Sequence, residues 1–558
     1  MDRKQVLVLV ALLALIAVGT YFRSYHLDYP SIGYHNWKES RYLTPARNFV
    51  REGFFAHGFF VPAYDLPKMS ANPNGAHSDF FPFSSIAAAL MMSLFGFELW
   101  AARLPVLIVS VALIPLVYLF MRRLAGRDDM ALVSAALVAI NPMMTFFSHN
   151  VDQMPFGIFF VVLSWIFFLR WNDHDKPVDA LLSCALGAFA VAIKYTYAIS
   201  LVPLLAIMPW PRLLDWKARW RSFAGCAVLL ATAPLWWAYS SFIIAPENSG
   251  SVQGSGALGF RALFQDGMFQ TLRAFFADNY TLVGLLFAGI GFCLFLLLRK
   301  NVPVLLRRFL YASAACTIAF FFIISDSLRG HSYHQYPIAL FVLFLIAYLF
   351  TVVGQTIANV IRLPFVKPMA IALLFFLPVP IFSFAVQGLA SHTLFFSSVE
   401  AANRQWDTQF FGLDIAGNYI KSHKKEGERV MHSTHQAYGV LWHGDIKGTR
   451  GLPPTVDLIK EAETELNANW LFIYNWDFGM FNDPNDMRWP YLTERYRVVQ
   501  VAFIPNGDQP QFLYLLLRRN GTTDINTIGQ LVQGKPVRTV QYELTRGPVS
   551  VNYVNIEP

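Results

Sequence analysis

The side chains best equipped for chemistry in this sequence are a few acids and bases set among long apolar runs. Lys38 and Glu39 stand in "YHNWKESRYLTPARNFVREGFF", and Asp79 in "HSDFFPF". Asp152 follows in "SHNVDQMP" and Lys194 in "AIKYTY". Arg329, His331, Tyr333 and His334 close the set in "SLRGHSYHQYP". Ionisable groups at membrane depth are costly to bury, so where they occur they mark pathways or sites. Each also has a plainer reading. Glu39 lies three residues after Asn36, the spacing of a capping box. Asp152 precedes Pro155 and could open a helix. Lys194 could snorkel, and His331 with His334 has the i, i+3 spacing of a metal-ligand pair but no third ligand nearby. Singly, none of these decides a function.

The rest of the chain must position them. Of 558 residues, 55% are hydrophobic and 14% charged, and mean hydropathy is +0.40. Soluble domains carry roughly a quarter charged residues, so the composition is that of a membrane protein. The net charge of +8 sits in short basic clusters between apolar runs, the pattern of cytoplasmic loops rather than of a nucleic-acid surface. The four cysteines fall in or beside apolar runs with no CxxC pair, so neither a disulfide framework nor a zinc site is expected. The first apolar segment, after Arg3 and Lys4, lacks a cleavage site and reads as a retained anchor.

With about 20 residues per span, the basic clusters thread the chain consistently. The spans fall near 6–22, 102–121, 130–147, 154–170, a shorter pair at 179–193 and 197–210, then 222–243, 281–298, 309–325, 337–354 and 369–388. This predicts an α-helical polytopic protein of about eleven transmembrane helices in a plasma (inner) membrane. Residues 1–389 form the membrane domain, with a first outer loop over 23–101 that holds interfacial helices. Residues 390–558 form an extracytoplasmic α/β domain, because "LFIYNW", "YRVVQVAFI" and "QFLYLLLRR" read as strands between helical stretches. Residues 246–259 read as a flexible loop. In this threading all the unusual acids and bases face one side, which predicts a single extracytoplasmic pocket.

Taken together, these residues resemble the GT-C glycosyltransferases that use polyprenyl-phosphate sugars, most of all the group containing the protein O-mannosyltransferases and the lipid A aminoarabinose transferases. The likeness spans roughly residues 1–350. That family carries an acidic pair in the style D-E-T-R-Y before an interfacial helix, matched here by Lys38-Glu39-Ser40-Arg41-Tyr42. Lys38 replaces the first acid, which leaves Glu39 as the candidate base. "DFFPFSSIAAALMMSLFGFELWAARLP" is similar to the family's re-entrant helix, "HNVDQMPFGIFF" to its D-x-x-P turn and Lys194 to the lysine of its L-T-K step. "HSYHQYP" is similar to its H-x-Y-Y-x-x-P element, with His334 for the second Tyr.

The resemblance implies inverting transfer of a sugar from a polyprenyl-phosphate donor to an extracytoplasmic lipid, glycan or protein. Glu39 would act as base or acceptor-orienting acid, supported by Asp152 and Asp79. Lys194, Arg329, His331, Tyr333, His334 and Lys38 would hold the donor phosphate. A divalent metal near the acids is compatible with this pattern but not required by it, and no nucleic-acid partner is expected. The competing readings are a lipid-linked sugar flippase or transporter, and an anchored assembly protein. Transporters often show repeated halves and mid-membrane charges, and neither pattern is present here.

Overall fold

The computed structural model describes residues 3–56, 58–59, 80–211, 216–244, 264, 266–363, 365–376, 408–449, 451–475, 483, 486–505, 511–544 and 547–557. Asp79, the 246–259 loop and the expected domain boundary near 389 lie outside them.

Among the described residues seven helices are long and apolar enough to cross a bilayer: Arg3–Ser24 (α1), Leu99–Ala125 (α4), Met154–His174 (α7), Arg219–Ile243, Leu282–Asn301, Val304–Ile323 and Ser332–Ile361. A bent pair, α5 (Asp128–Ile140) and α6 (Pro142–Phe146) with its continuation to His149, makes an eighth. Two shorter apolar helices, Pro177–Ile193 (α8) and Tyr195–Ala206, fall on the expected short pair, and Val366–Phe375 on the start of the last expected span, whose residues 377–388 lie outside the described ones. The first of these is only 17 residues long, about 25 Å at 1.5 Å per residue, less than the roughly 30 Å hydrocarbon core.

The bend between α5 and α6 is 52°, and Pro142 causes it. Proline has no N–H to give the carbonyl four residues back and its ring crowds that carbonyl. The carbonyls set free, Val138 O and Ala139 O, accept from the fully buried Arg23 guanidinium at 2.7 Å each. Asn141 starts the new direction by accepting the Met144 N–H at 3.0 Å. The chain is thereby turned so that 149–153 crosses the end of the bundle. Next along, Gly157 lets α7 pack against Tyr197, since a Cβ there would lie 2.0 Å from the tyrosine ring. Tyr197 then donates to Met154 O at 2.6 Å, which ties the segment after α8 to the start of α7.

Two helices of the first loop lie between α1 and α4: α2 (Asn36–Glu52) and α3 (Phe83–Phe95). Above them stands an α/β domain with a seven-stranded mixed sheet in the order β2-β1-β3-β5-β4-β7-β6. Its strands are β1 (Arg429–His432), β2 (Lys447–Gly448), β3 (Ala468–Tyr474), β4 (Tyr496–Ile504), β5 (Gln511–Arg519), β6 (Arg538–Tyr542) and β7 (Val549–Asn555). β1 pairs in parallel with β2 and β3, and the other pairings are antiparallel. The three apolar runs expected as strands are β3, β4 and β5. They lack polar alternation because the sheet is covered on both faces: Trp470 and Phe472 pack with the helix Leu413–His423, and Leu471 and Ile473 with the helix Val456–Glu465. The first loop enters this domain directly. Ile32 is part of its core, Phe410 N–H donates to Ile32 O at 2.7 Å, and Gly33 bridges to Gln409.

Candidate active site

The N-terminal turn of α2 is where the polar groups meet. Asn36 and Glu39 have the spacing of a capping box, but the side chains go elsewhere. The helix starts from His35 with no side-chain cap, and Asn36 donates back to Gly33 O. Glu39 turns instead to α4. Its Oε1 and Oε2 accept from Arg103 Nε and NH2 at 2.8 Å each, Ser31 Oγ donates to Oε2 at 2.7 Å, and the Val151 N–H donates to Oε1 at 3.0 Å. Burial alone would raise this carboxyl. Arg103, with the Ser31 and Val151 bonds, outweighs that and holds it below the usual range for glutamate. Arg103 NH1 in turn ties Leu27 O and Tyr29 O. Both oxygens of Glu39 are thus engaged in joining α2, α4 and the 149–153 turn.

The neighbouring residue points into a different cluster. Lys38 Nζ lies 2.7 Å from Asp152 Oδ2, with both residues 4% exposed or less, and 3.2 Å from the centroid of the Tyr333 ring. Burial draws the Lys38 ammonium below its ordinary range, and Asp152 opposes that shift. Asp152 also fulfils its plainer reading, because Oδ1 accepts the Met154 N–H at the start of α7. Lys194, where α8 stops, is buried rather than snorkelling, with Nζ 4.3 Å from the Phe80 ring centroid and 6.0 Å from that of Tyr333. With its amide turned to satisfy its neighbours, Gln153 accepts from Lys194 Nζ at 3.2 Å and donates to Tyr42 OH at 3.1 Å.

The "HSYHQYP" segment supplies the wall. His331 stacks on Tyr333 at 5.0 Å between centroids, and His334 lies 4.5 Å from the same ring. Trp37 lies 5.4 Å from His331. Arg329 belongs to the short helix just before, Ser325–Gly330. A cleft lined by Arg41, Tyr42, Phe80, Pro82, Ser84 and Gln153 adjoins the cluster through Gln153.

Of the residues picked from the sequence, the fold therefore gathers Lys38, Asp152, Lys194, His331, Tyr333 and His334 in one place, and sets Glu39 one residue away in its own ion pair. Sequence reading missed Arg103, His35 and Gln153. A lone arginine in the first turns of an apolar helix was the available signal for Arg103. His35 and Gln153 had none beyond adjacency. Among the described residues no three His, Cys, Asp or Glu side chains are grouped to hold a metal ion, and the Oδ2 of Asp152 faces the Lys38 ammonium.

This architecture has known counterparts. Residues 77–237 match the family model described as dolichyl-phosphate-mannose-protein mannosyltransferase. Among solved structures, the chain is similar to the oligosaccharyltransferase AglB from Archaeoglobus fulgidus, in complex with an inhibitory peptide and a dolichol-phosphate. The TM-score is 0.57 at 12% identity, covering 92% of this chain and 74% of that one. It is also similar to ArnT from Cupriavidus metallidurans bound to undecaprenyl phosphate, with a TM-score of 0.56 at 14% identity over 92% and 97% of the two chains. No curated protein matches the sequence. The chain is a multi-pass membrane protein with the fold of the GT-C glycosyltransferases.

Proposed function

We propose that the chain is a membrane glycosyltransferase that moves a sugar from a polyprenyl-phosphate donor to an acceptor on the extracytoplasmic side, with inversion. The observation that carries this is the convergence of Lys38, Asp152, Lys194 and Tyr333, from four separate segments, into one buried polar cluster at one end of the helical bundle. Both solved counterparts hold a long-chain lipid phosphate, which supports the donor class.

In this reading Lys38 and Lys194, with His331, Tyr333, His334 and Arg329, hold the donor phosphate in a dry site, where cations act most strongly on developing charge. The acceptor oxygen or nitrogen attacks the anomeric carbon and forms the new glycosidic bond. The bond from that carbon to the phosphate oxygen breaks, and its electron pair leaves with the polyprenyl phosphate. The acceptor's proton passes to Asp152. Each oxygen of that carboxylate has one partner, Lys38 or the Met154 N–H, and retains lone pairs for the transfer. Of the two roles the sequence offers for Glu39, base or acceptor-orienting acid, the second fits better: four donors already occupy its oxygens. Asp79, next to the Phe80-Phe81-Pro82 run where the resembled family often carries an acid, takes a supporting role.

The test is a transfer assay on detergent-purified protein given polyprenyl-phosphate sugars and envelope extract as the source of acceptor, with bound lipid read by native mass spectrometry. Wild type should release polyprenyl phosphate, while Asp152→Asn should retain intact donor and turn over at least about a hundredfold more slowly. Equal turnover by the two proteins, or no donor bound to either, overturns the reading.

A further inference from the structure

His35 is the residue of this site that neither the sequence motifs nor the lysine–aspartate pair accounts for. It is 3% exposed, and neither ring nitrogen has a hydrogen-bond partner in the structure. A buried polar group left unpaired costs about 1–3 kcal/mol, so an imidazole with two such atoms is expected to meet a partner the protein itself does not supply. The backbone of His35 points the same way. At φ −111°, ψ 28° it lies near the sparsely populated bridge region, where active-site residues recur. The position is imposed by the start of α2, since His35 O accepts from both the Lys38 and Glu39 N–H groups.

The surroundings indicate what the partner is. The ring lies 5.3 Å from Tyr333, 6.0 Å from His331 and 5.4 Å from Phe147, centroid to centroid. These are the same rings that receive the Lys38 ammonium, at 3.2 Å from Tyr333 and 6.0 Å from Phe147. Burial, and then the charges of Lys38 and His331, hold the imidazole well below its ordinary pKa. At neutral pH it is an uncharged ring with one N–H to donate, packed on the same Tyr333 and Phe147 rings as the Lys38 ammonium.

We propose that His35 donates a ring N–H to the phosphate of the lipid donor, beside Lys38 and the Tyr333 ring. The proposal rests on the transferase reading of the site and adds a contact that reading does not contain.

The experiment compares binding of undecaprenyl monophosphate and of the unphosphorylated alcohol undecaprenol to wild type, His35→Ala, His35→Phe and His35→Asn, by Trp37-dependent fluorescence and native mass spectrometry. Loss of one neutral hydrogen bond to a charged partner, worth about 1.5–3 kcal/mol, should weaken monophosphate binding by roughly ten- to hundredfold in the Ala and Phe variants. Binding of the alcohol should be unchanged. His35→Asn, which keeps a short N–H donor, should recover most of the affinity. Because the ring has no partner in the lipid-free protein, His35→Phe should unfold at the wild-type temperature or above it. Unchanged monophosphate binding in His35→Ala, or a Phe variant that is destabilised and loses both lipids alike, overturns the proposal and leaves His35 a structural, water-bonded residue. Wild-type protein that binds neither lipid removes the transferase reading itself, and the proposal with it.

Discussion

Glu39 and Asp152 show how alike two buried carboxylates can look in a sequence and how differently they are used. Glu39→Gln leaves Arg103 buried without its counter-charge, and breaking such a pair costs about 3–5 kcal/mol. The variant should therefore unfold at a clearly lower temperature, read by differential scanning fluorimetry. An unchanged midpoint would argue against the Glu39–Arg103 pair as a structural tie. Asp152→Asn strips the counter-charge from the equally buried Lys38 and should lose stability to a similar degree, so turnover of the folded fraction tells the two variants apart, falling at least about a hundredfold in Asp152→Asn. His443 offers a pH signature outside the membrane segments. It accepts the Ser31 N–H at Nε2, and burial, then Arg103, lower it from 6.5 to about 3. A ring held neutral in the fold binds no proton there, whereas the unfolded chain does below its ordinary value. Stability should thus be complete above pH 6.5 and decline as pH falls towards 3. His443→Gln should flatten that decline in unfolding curves across the range, and a curve identical to wild type would rule His443 out as its source.

At the scale of elements, α2 is held from two sides. Lys38 and Arg47 are nine residues apart, which at 3.6 residues per turn puts them on roughly opposite faces. One face supplies the site. The other carries Arg47, which donates to Leu441 O and Trp442 O at the end of the short helix Gly439–His443 and pairs with Asp445 at 2.8 Å. Arg51 adds two bonds to the same carboxylate at 2.8 and 2.9 Å, and Lys447 reaches Glu52 at 2.9 Å. Asp445→Ala should raise hydrogen exchange across 36–52 while leaving β3 protected, because it removes the partner of two arginines without touching the sheet core. Equal exchange in variant and wild type would show that the carbonyl contacts suffice. In the membrane domain, a Cβ on Gly291 would fall 2.3 Å from Leu345 O. Gly291→Val should force the helices Leu282–Leu298 and Ala339–Ile361 apart and lower the yield of folded, monodisperse protein on size-exclusion chromatography.

For the whole molecule, two bodies share one loop: the segment from Ser31 to Glu52 belongs at once to the membrane site and to the packing of the α/β domain. The positive-inside pattern predicts an extracytoplasmic position for both. A tag at the C-terminus should then be cleaved by protease added to intact spheroplasts, and one placed between 122 and 127 should be protected. Cleavage with the reverse pattern would invert the threading.

The sequence by itself determined the class of solvent, the place of most of the spans, and the three central strands β3, β4 and β5 of the α/β domain. These follow from runs and periods of apolarity, which are local and repeat over many residues. It also named most of the polar cluster, since a charge among apolar residues stands out singly. Only the tertiary structure decided how those charges pair. Whether an acid is neutralised by Arg103, bonded to Lys38 or spent on a helix cap depends on which distant segments arrive beside it. The bend at Pro142, the approach of Tyr197 at Gly157 and the docking of the outer domain on α2 set those arrivals, and nothing in the local pattern around Glu39 or His35 encodes them.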